Sequence, residues 1–142
     1  MRRVLLALAL ALVLVLVLGL ASCSMSVDTK LAAQAVVKFH EMLDAEEYDA
    51  IYDGSAEDLK QASSKEKFVA LLKGVHRKLG NTRASDQQSW NVNYQTTGSF
   101  VSMGYRTFYT EDNADERFVY RMLGEQALLA GYHIESDAFI TK

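Results

Sequence analysis

The sequence predicts an α+β domain in which N-terminal helices pack on a four-stranded, curved antiparallel sheet. Three observations lead there. Apolar residues recur at helical spacing from Thr29 to about Gly80, and from Ser85 onward the period changes to two. All the helical pattern precedes all the strand pattern, which excludes alternating βαβ units. Short turn-forming stretches separate the period-two segments, so each strand pairs with its neighbour in sequence.

The first helix runs through "KLAAQAVVKFHEMLDAEE", with Asp28 or Thr29 as its cap. Leu31, Ala35, Phe39 and Leu43 recur every four residues, and Val36 and Met42 widen the stripe. "EEYDAIYDGSAEDLKQA" reads as a short helical turn, a stop at Gly54 and a second short helix capped by Ser55. In the next helix Ser63 and Glu66 match a capping box, and Phe68, Leu71, Leu72, Val75 and Leu79 share a face. His76, Arg77 and Lys78 fall in its last turn, where cations suit the helix dipole, and Gly80-Asn81 ends it.

A turn at Thr97-Gly98 pairs Tyr94 with Val101, Val92 with Met103 and Trp90 with Tyr105, all on one face. "EDNADE" then reads as a polar loop. Around Gly124-Glu125-Gln126 a three-residue loop matches Phe118, Tyr120 and Met122 to Tyr132, Ala130 and Leu128, whereas a two-residue loop mixes the faces. These pairings put Trp90, Val92, Tyr94, Val101, Met103, Tyr105, Tyr109, Phe118, Tyr120, Met122, Leu128, Ala130, Tyr132 and Ile134 on the helix-facing side. No Asp, Glu or His stands among them, so the expected interior has no general acid or base.

The opposite face collects Arg106, Arg117, Arg121 and His133, with Val119, Leu129 and Glu135. Arg117 is expected opposite His133, and Arg121 opposite Leu129. Such a face is either the solvated side of an antiparallel sheet or a surface for a protein or acidic ligand, since Arg is enriched at interfaces. We therefore take Arg106, Arg117, Arg121 and His133 as the candidate partner-binding residues.

Composition narrows the function classes. The 142 residues are 49% apolar and 23% charged, a globular balance. Arg2 and Arg3 account for two of the fifteen basic residues, so thirteen remain against eighteen acids beyond the leader. A body with net charge −5 and no basic run carries no footprint for nucleic acid. His40, His76 and His133 are scattered, His40-Glu41 lacks the second histidine of H-E-x-x-H, and Cys23 is the one cysteine. Neither a metal site nor an intrachain disulfide is expected, and no cofactor.

The leader is more specific. Arg2 and Arg3 precede seventeen residues, Val4 to Leu20, built only of Leu, Val, Ala and Gly. As a helix this run spans about 26 Å, slightly short of a hydrocarbon core of roughly 30 Å. Its order of positive start, apolar middle and small residues is that of a signal peptide. "LASC", Leu20 to Cys23, resembles a bacterial lipobox. That resemblance implies cleavage before Cys23, lipid on its sulfur and its new amino group, and a stable membrane anchor. Ser24 after the cysteine resembles an outer-membrane address.

The expected organisation is a signal peptide over 1–22, a lipidated N-terminus and short tether over 23–28, and one domain over 29–142. The order of helices and long strands resembles the nuclear transport factor 2-like (cystatin-like) fold. The stretch from "VVKFHEMLDAEEYDAIYD" through "LLKGVHRKLG" is similar to a family of uncharacterised bacterial lipoproteins of that topology. That fold does not choose a function, but the lipobox, the short tether, the absent catalytic groups and the mixed sheet face lead us to expect a non-enzymatic, lipid-anchored envelope protein that binds a protein partner or small ligand. A homodimer, or an isomerase- or cyclase-like enzyme using a cone-shaped pocket, are the other functions that fold hosts.

Overall fold

The computed structural model describes residues 27–141 together with Met1. Four helices come first: α1 over 27–44, α2 (Tyr48–Asp53), α3 (Glu57–Ala62) and α4 (Lys65–Leu79). Four strands follow, β1 (Thr82–Gln95), β2 (Gly98–Tyr109), β3 (Asn113–Leu123) and β4 (Gln126–Glu135), before a last turn of helix, α5 (Ala138–Thr141). The sheet is an antiparallel meander in the order β1-β2-β3-β4. The expected α+β class is therefore what the chain adopts.

The core lies between the helices and one face of the sheet. Ala32, Val36, Phe39, His40 and Leu43 form the buried stripe of α1, so Val36, Phe39 and Leu43 are buried as expected, while Leu31, Ala35 and Met42 flank it half-buried. Residues 27 and 28 are already helical, so neither Asp28 nor Thr29 acts as the cap. In α4 the buried face is Phe68, Val69, Leu72, Val75 and Leu79, and Leu71 is exposed instead. Its N-cap is Ser64, whose hydroxyl accepts from the Lys67 amide at 3.4 Å, while Ser63 ends α3. Ser55 does not cap α3 either; its hydroxyl donates back to the Ile51 carbonyl at 2.7 Å. Gly80 ends α4 at φ 76° and ψ −155°, a conformation that only glycine adopts without strain.

Three strand expectations need correction. The β1–β2 turn is Thr96-Thr97, closed by Gln95 opposite Gly98, so the register slides by two. Val92 then faces Val101 and Trp90 faces Met103, which preserves the faces because the slide is even. The "EDNADE" stretch is mostly strand: β3 begins at Asn113, and the Tyr109 amide donates to the Asp112 carbonyl to close a tight turn. The third hairpin turns through Gly124-Glu125, with Leu123 opposite Gln126.

That two-residue turn mixes no faces because β4 carries a bulge. Val119 faces Gly131, yet Tyr120 faces Leu129, leaving Ala130 as the extra residue. The bulge shifts β4 by one, so Leu129 is buried in place of Leu128 and Ala130, and Arg121 faces Leu128 rather than Leu129. Ala56, between α2 and α3, donates its amide to the Leu129 carbonyl at 2.9 Å.

β1 projects past the helical layer. Trp90 and Tyr94 lie on the helix-facing side but are 52% and 59% exposed, contrary to the expectation that they line the interior. Across the ladder Trp90 faces the buried Met103, whereas Tyr94 faces the half-buried Ser99.

Candidate functional site

Continuing the inward alternation of Phe118, Tyr120 and Met122 back along β3 places Glu116 and Ala114 in the core, and both are buried. Glu116 is an acid in an interior expected to hold none, and His40 of α1 meets it there. The His40 ring donates from Nε2 to Glu116 Oε2 at 2.8 Å. Thr107 of β2 donates to the same oxygen at 2.5 Å. Tyr109 and Tyr132 donate their hydroxyls to Oε1 at 2.8 and 2.6 Å. Ser85 of β1 meets Thr107 at 3.3 Å; since the Thr107 proton is committed to Glu116, Ser85 is the donor.

One carboxylate thus joins α1, β2, β3 and β4. Burial by itself pushes the Glu116 carboxyl up. The hydrogen bond and charge of His40, with the Thr107 and Tyr132 hydroxyls, outweigh it and hold the carboxyl below its ordinary range. Burial, then the neighbouring Glu116 charge, drives the Tyr109 and Tyr132 hydroxyls far up, so both stay protonated donors.

Aromatic rings close around this group. Phe118 lies edge-on to Phe39 at 5.1 Å between centroids and to His40 at 5.7 Å, and stacks on Tyr120 at 6.1 Å. The Glu116 side chain is 0% exposed. A carboxylate has about four acceptor positions, and four donors occupy them here. The arrangement thus ties the first helix to three strands of the sheet through one acceptor group.

The outer sheet face is ordered in rows across the strands. One row runs Asp86, Arg106, Asp115, Glu135; the next runs Ser89, Gly104, Arg117, His133. Arg117 therefore stands opposite His133, as expected. Arg106 is paired with Asp115 at 2.6 Å and His133 with Glu135 at 2.9 Å. Arg117 forms no ion pair among the described residues. It borders two shallow hollows of about 300 and 310 Å³ that share Ser89 and Gly104. Gly104 keeps the floor open, since a Cβ there would sit 2.5 Å from the Ser89 hydroxyl.

Arg121 is placed apart from the other three. Its Nε and Nη2 form a fork onto Asp58 of α3 at 2.6 and 2.7 Å, and Nη1 donates to the Thr97 carbonyl at 2.7 Å. The guanidinium also lies over the Phe100 ring at 4.5 Å. The Arg121 hydrogen bonds hold the Asp58 carboxyl below its usual range. Arg121→Met is expected to speed amide exchange along Glu57–Ala62 while leaving α4 unchanged. Equal protection of α3 in both proteins would remove the role of this clamp. Cys23 lies outside the described residues.

Among the described residues no group of three His, Cys, Asp or Glu side chains is arranged to hold a metal ion, and no helix is long and apolar enough to cross a membrane. No curated protein matches the chain. The model of one family, proteins of unknown function termed DUF4019, matches residues 33–132, from the middle of α1 to the Tyr132 that holds Glu116. With that match covering most of its length, the chain belongs to the DUF4019 family.

Proposed function

We propose that this protein is a lipid-anchored component of the bacterial cell envelope whose domain binds a protein or a small acidic ligand and catalyses no reaction. The observation that carries the reading is the "LASC" motif closing the apolar run at Cys23. Helix α1 is already under way at residue 27, so the domain follows the attachment point after three residues, about 10 Å when extended. It rides close to the bilayer, and the Ser24 address favours the outer membrane facing the periplasm. The strand order and helices still resemble the nuclear transport factor 2-like fold, which accommodates such modules.

The binding surface in this reading is the outer sheet face around Arg117 and His133, with Arg106 at its border. An uncommitted guanidinium above a glycine floor offers a planar donor fork for carboxylate or phosphate. Glu116 and His40 are the interior acid and base on which an isomerase- or cyclase-like reading would have to rely. Their saturated hydrogen bonding favours binding over catalysis.

Intact-mass measurement on protein from membranes tests the anchor. The native protein should have lost residues 1–22 and gained acyl mass, whereas Cys23→Ala should keep its leader and carry no lipid. A native mass equal to the unmodified chain would defeat the proposal. For the surface, Arg117→Glu should reduce capture of envelope partners while leaving the thermal midpoint unchanged; undiminished capture would remove the sheet face from the reading.

A further inference from the structure

The open edge of β1 has an internal symmetry. Among the described residues β1 pairs with a strand, β2, on one side only; Asp44 takes the Thr82 amide near its start, and from Gln87 to Gln95 no strand covers the other side. From Gln87 to Gln95 this edge carries no charge and no proline, the usual devices that keep strand edges apart. At its centre is "WNVNY", Trp90 to Tyr94, which reads aromatic, Asn, Val, Asn, aromatic in either direction.

We propose that two copies of this protein pair through β1, antiparallel, about a twofold axis at Val92. In that register Val92 faces Val92 of the second copy, Trp90 faces Tyr94, and Asn91 faces Asn93. The aromatic pairs fall on the helix-facing side, where Trp90 and Tyr94 are 52% and 59% exposed in the monomer. The asparagines fall on the outer side, where their amides can donate and accept across the axis. A twofold interface uses one patch twice and must complement itself, and this sequence does so residue by residue. Cross-strand aromatic pairs are among the stabilising ones in antiparallel sheets.

The ends of the paired segment are also marked. The register joins Ser89–Gln95 to the same residues of the second copy. On one side the strand ends in the Thr96-Thr97 turn, and on the other a bulge between Gln87 and Ser89 breaks the ladder. Beyond the bulge come Asp86 and Arg83, the only charges in β1. Charge is thus confined to the part of the edge that the second copy does not reach. The outcome is a continuous eight-stranded sheet across two molecules. This association is independent of whether Cys23 carries lipid.

Cysteine cross-linking in the full chain tests the register, with diamide as oxidant and wild type as the Cys23 background. Val92→Cys should give a disulfide-linked band at twice the monomer mass, because facing Cα atoms lie about 4.5–5.5 Å apart, within disulfide reach. Trp90→Cys and Tyr94→Cys are at exposed positions that folding does not depend on. Each alone should give no disulfide-linked band, since like residues are offset by four positions, about 13 Å. Co-expressed, the two should cross-link. Leu123→Cys, equally exposed on the far hairpin, should give only background. Absence of the Val92→Cys dimer together with absence of the mixed dimer overturns the proposal, as does Leu123→Cys cross-linking to the same extent. A strong band from Trp90→Cys alone would also overturn it, because it requires another register.

Discussion

Replacing Glu116 by alanine is expected to destabilise the domain by about 3–5 kcal/mol, the cost of breaking a buried, hydrogen-bonded charge pair by removing one partner. Four donors lose their acceptor at once: the His40 ring and the hydroxyls of Thr107, Tyr109 and Tyr132. Three of them have little access to water, with His40 5%, Thr107 0% and Tyr109 4% exposed, and Tyr132 is half-buried. Domains of this size have about 5–15 kcal/mol in all, so the variant should sit near the edge of folding. Urea unfolding followed by tryptophan fluorescence and far-ultraviolet circular dichroism measures the loss. A change below about 1 kcal/mol, the scale of an ordinary neutral hydrogen bond, would show that the network does not hold the layers together.

The same carboxylate sets a pH dependence whose sign follows from the direction of its shift. Glu116 is held below its ordinary range when folded. Its contribution is therefore complete above the unfolded-chain value of about 4.3, and is lost as pH falls through the lower folded value. Urea midpoints of the wild type should drop across this acid window. Glu116→Gln, which cannot titrate, should lack that part of the drop; an identical acid slope in both proteins would contradict the assignment.

Phe118→Ala should cost about as much, 3–5 kcal/mol, as expected for a fully buried aromatic reduced to a methyl group. Phe118 is 0% exposed and is the ring around which Phe39, His40, Tyr105, Tyr120 and Tyr132 are arranged. The cavity would open directly beside the Glu116 network, so the loss should not add simply to that of Glu116→Ala. The double variant, measured by the same unfolding curves, should lose less than the sum. Strict additivity would mean the rings and the carboxylate act as separate units.

Class and order of elements were legible because period and segment length agree. Helical spacing ends at Gly80, and alternation begins within β1 and persists through three hairpins. The site was not legible, for two local reasons. "EDNADE" has the composition of a loop, and its acids and asparagine hide the fact that Ala114 and Glu116 keep the parity of Phe118. A charged residue in an inward position contradicts the binary pattern unless its partners are known, and those partners are 76, 9, 7 and 16 residues away. The available signal was the parity itself, extended two residues toward the N-terminus.

The bulge at Ala130 was hidden for a different reason. Alternation implies a fixed phase, and an inserted residue changes the phase without changing composition. A three-residue loop matches the faces equally well by moving the irregularity into the turn. The chain instead keeps the two-residue turn, with Gly124 at φ 58°, and places the irregularity where Ala56 meets the Leu129 carbonyl.

That contact has a further consequence for growth of the sheet. A molecule with two free edges can add copies at both ends and polymerise. Here the segment joining α2 to α3 occupies the outer side of β4 at Leu129, acting as a chain terminator, while β1 is left bare. Once two molecules meet through β1, each growing end is a β4 already stoppered by its own Ala56. That contact disfavours addition of a third copy at β4, so the open edge of β1 need not seed a fibre.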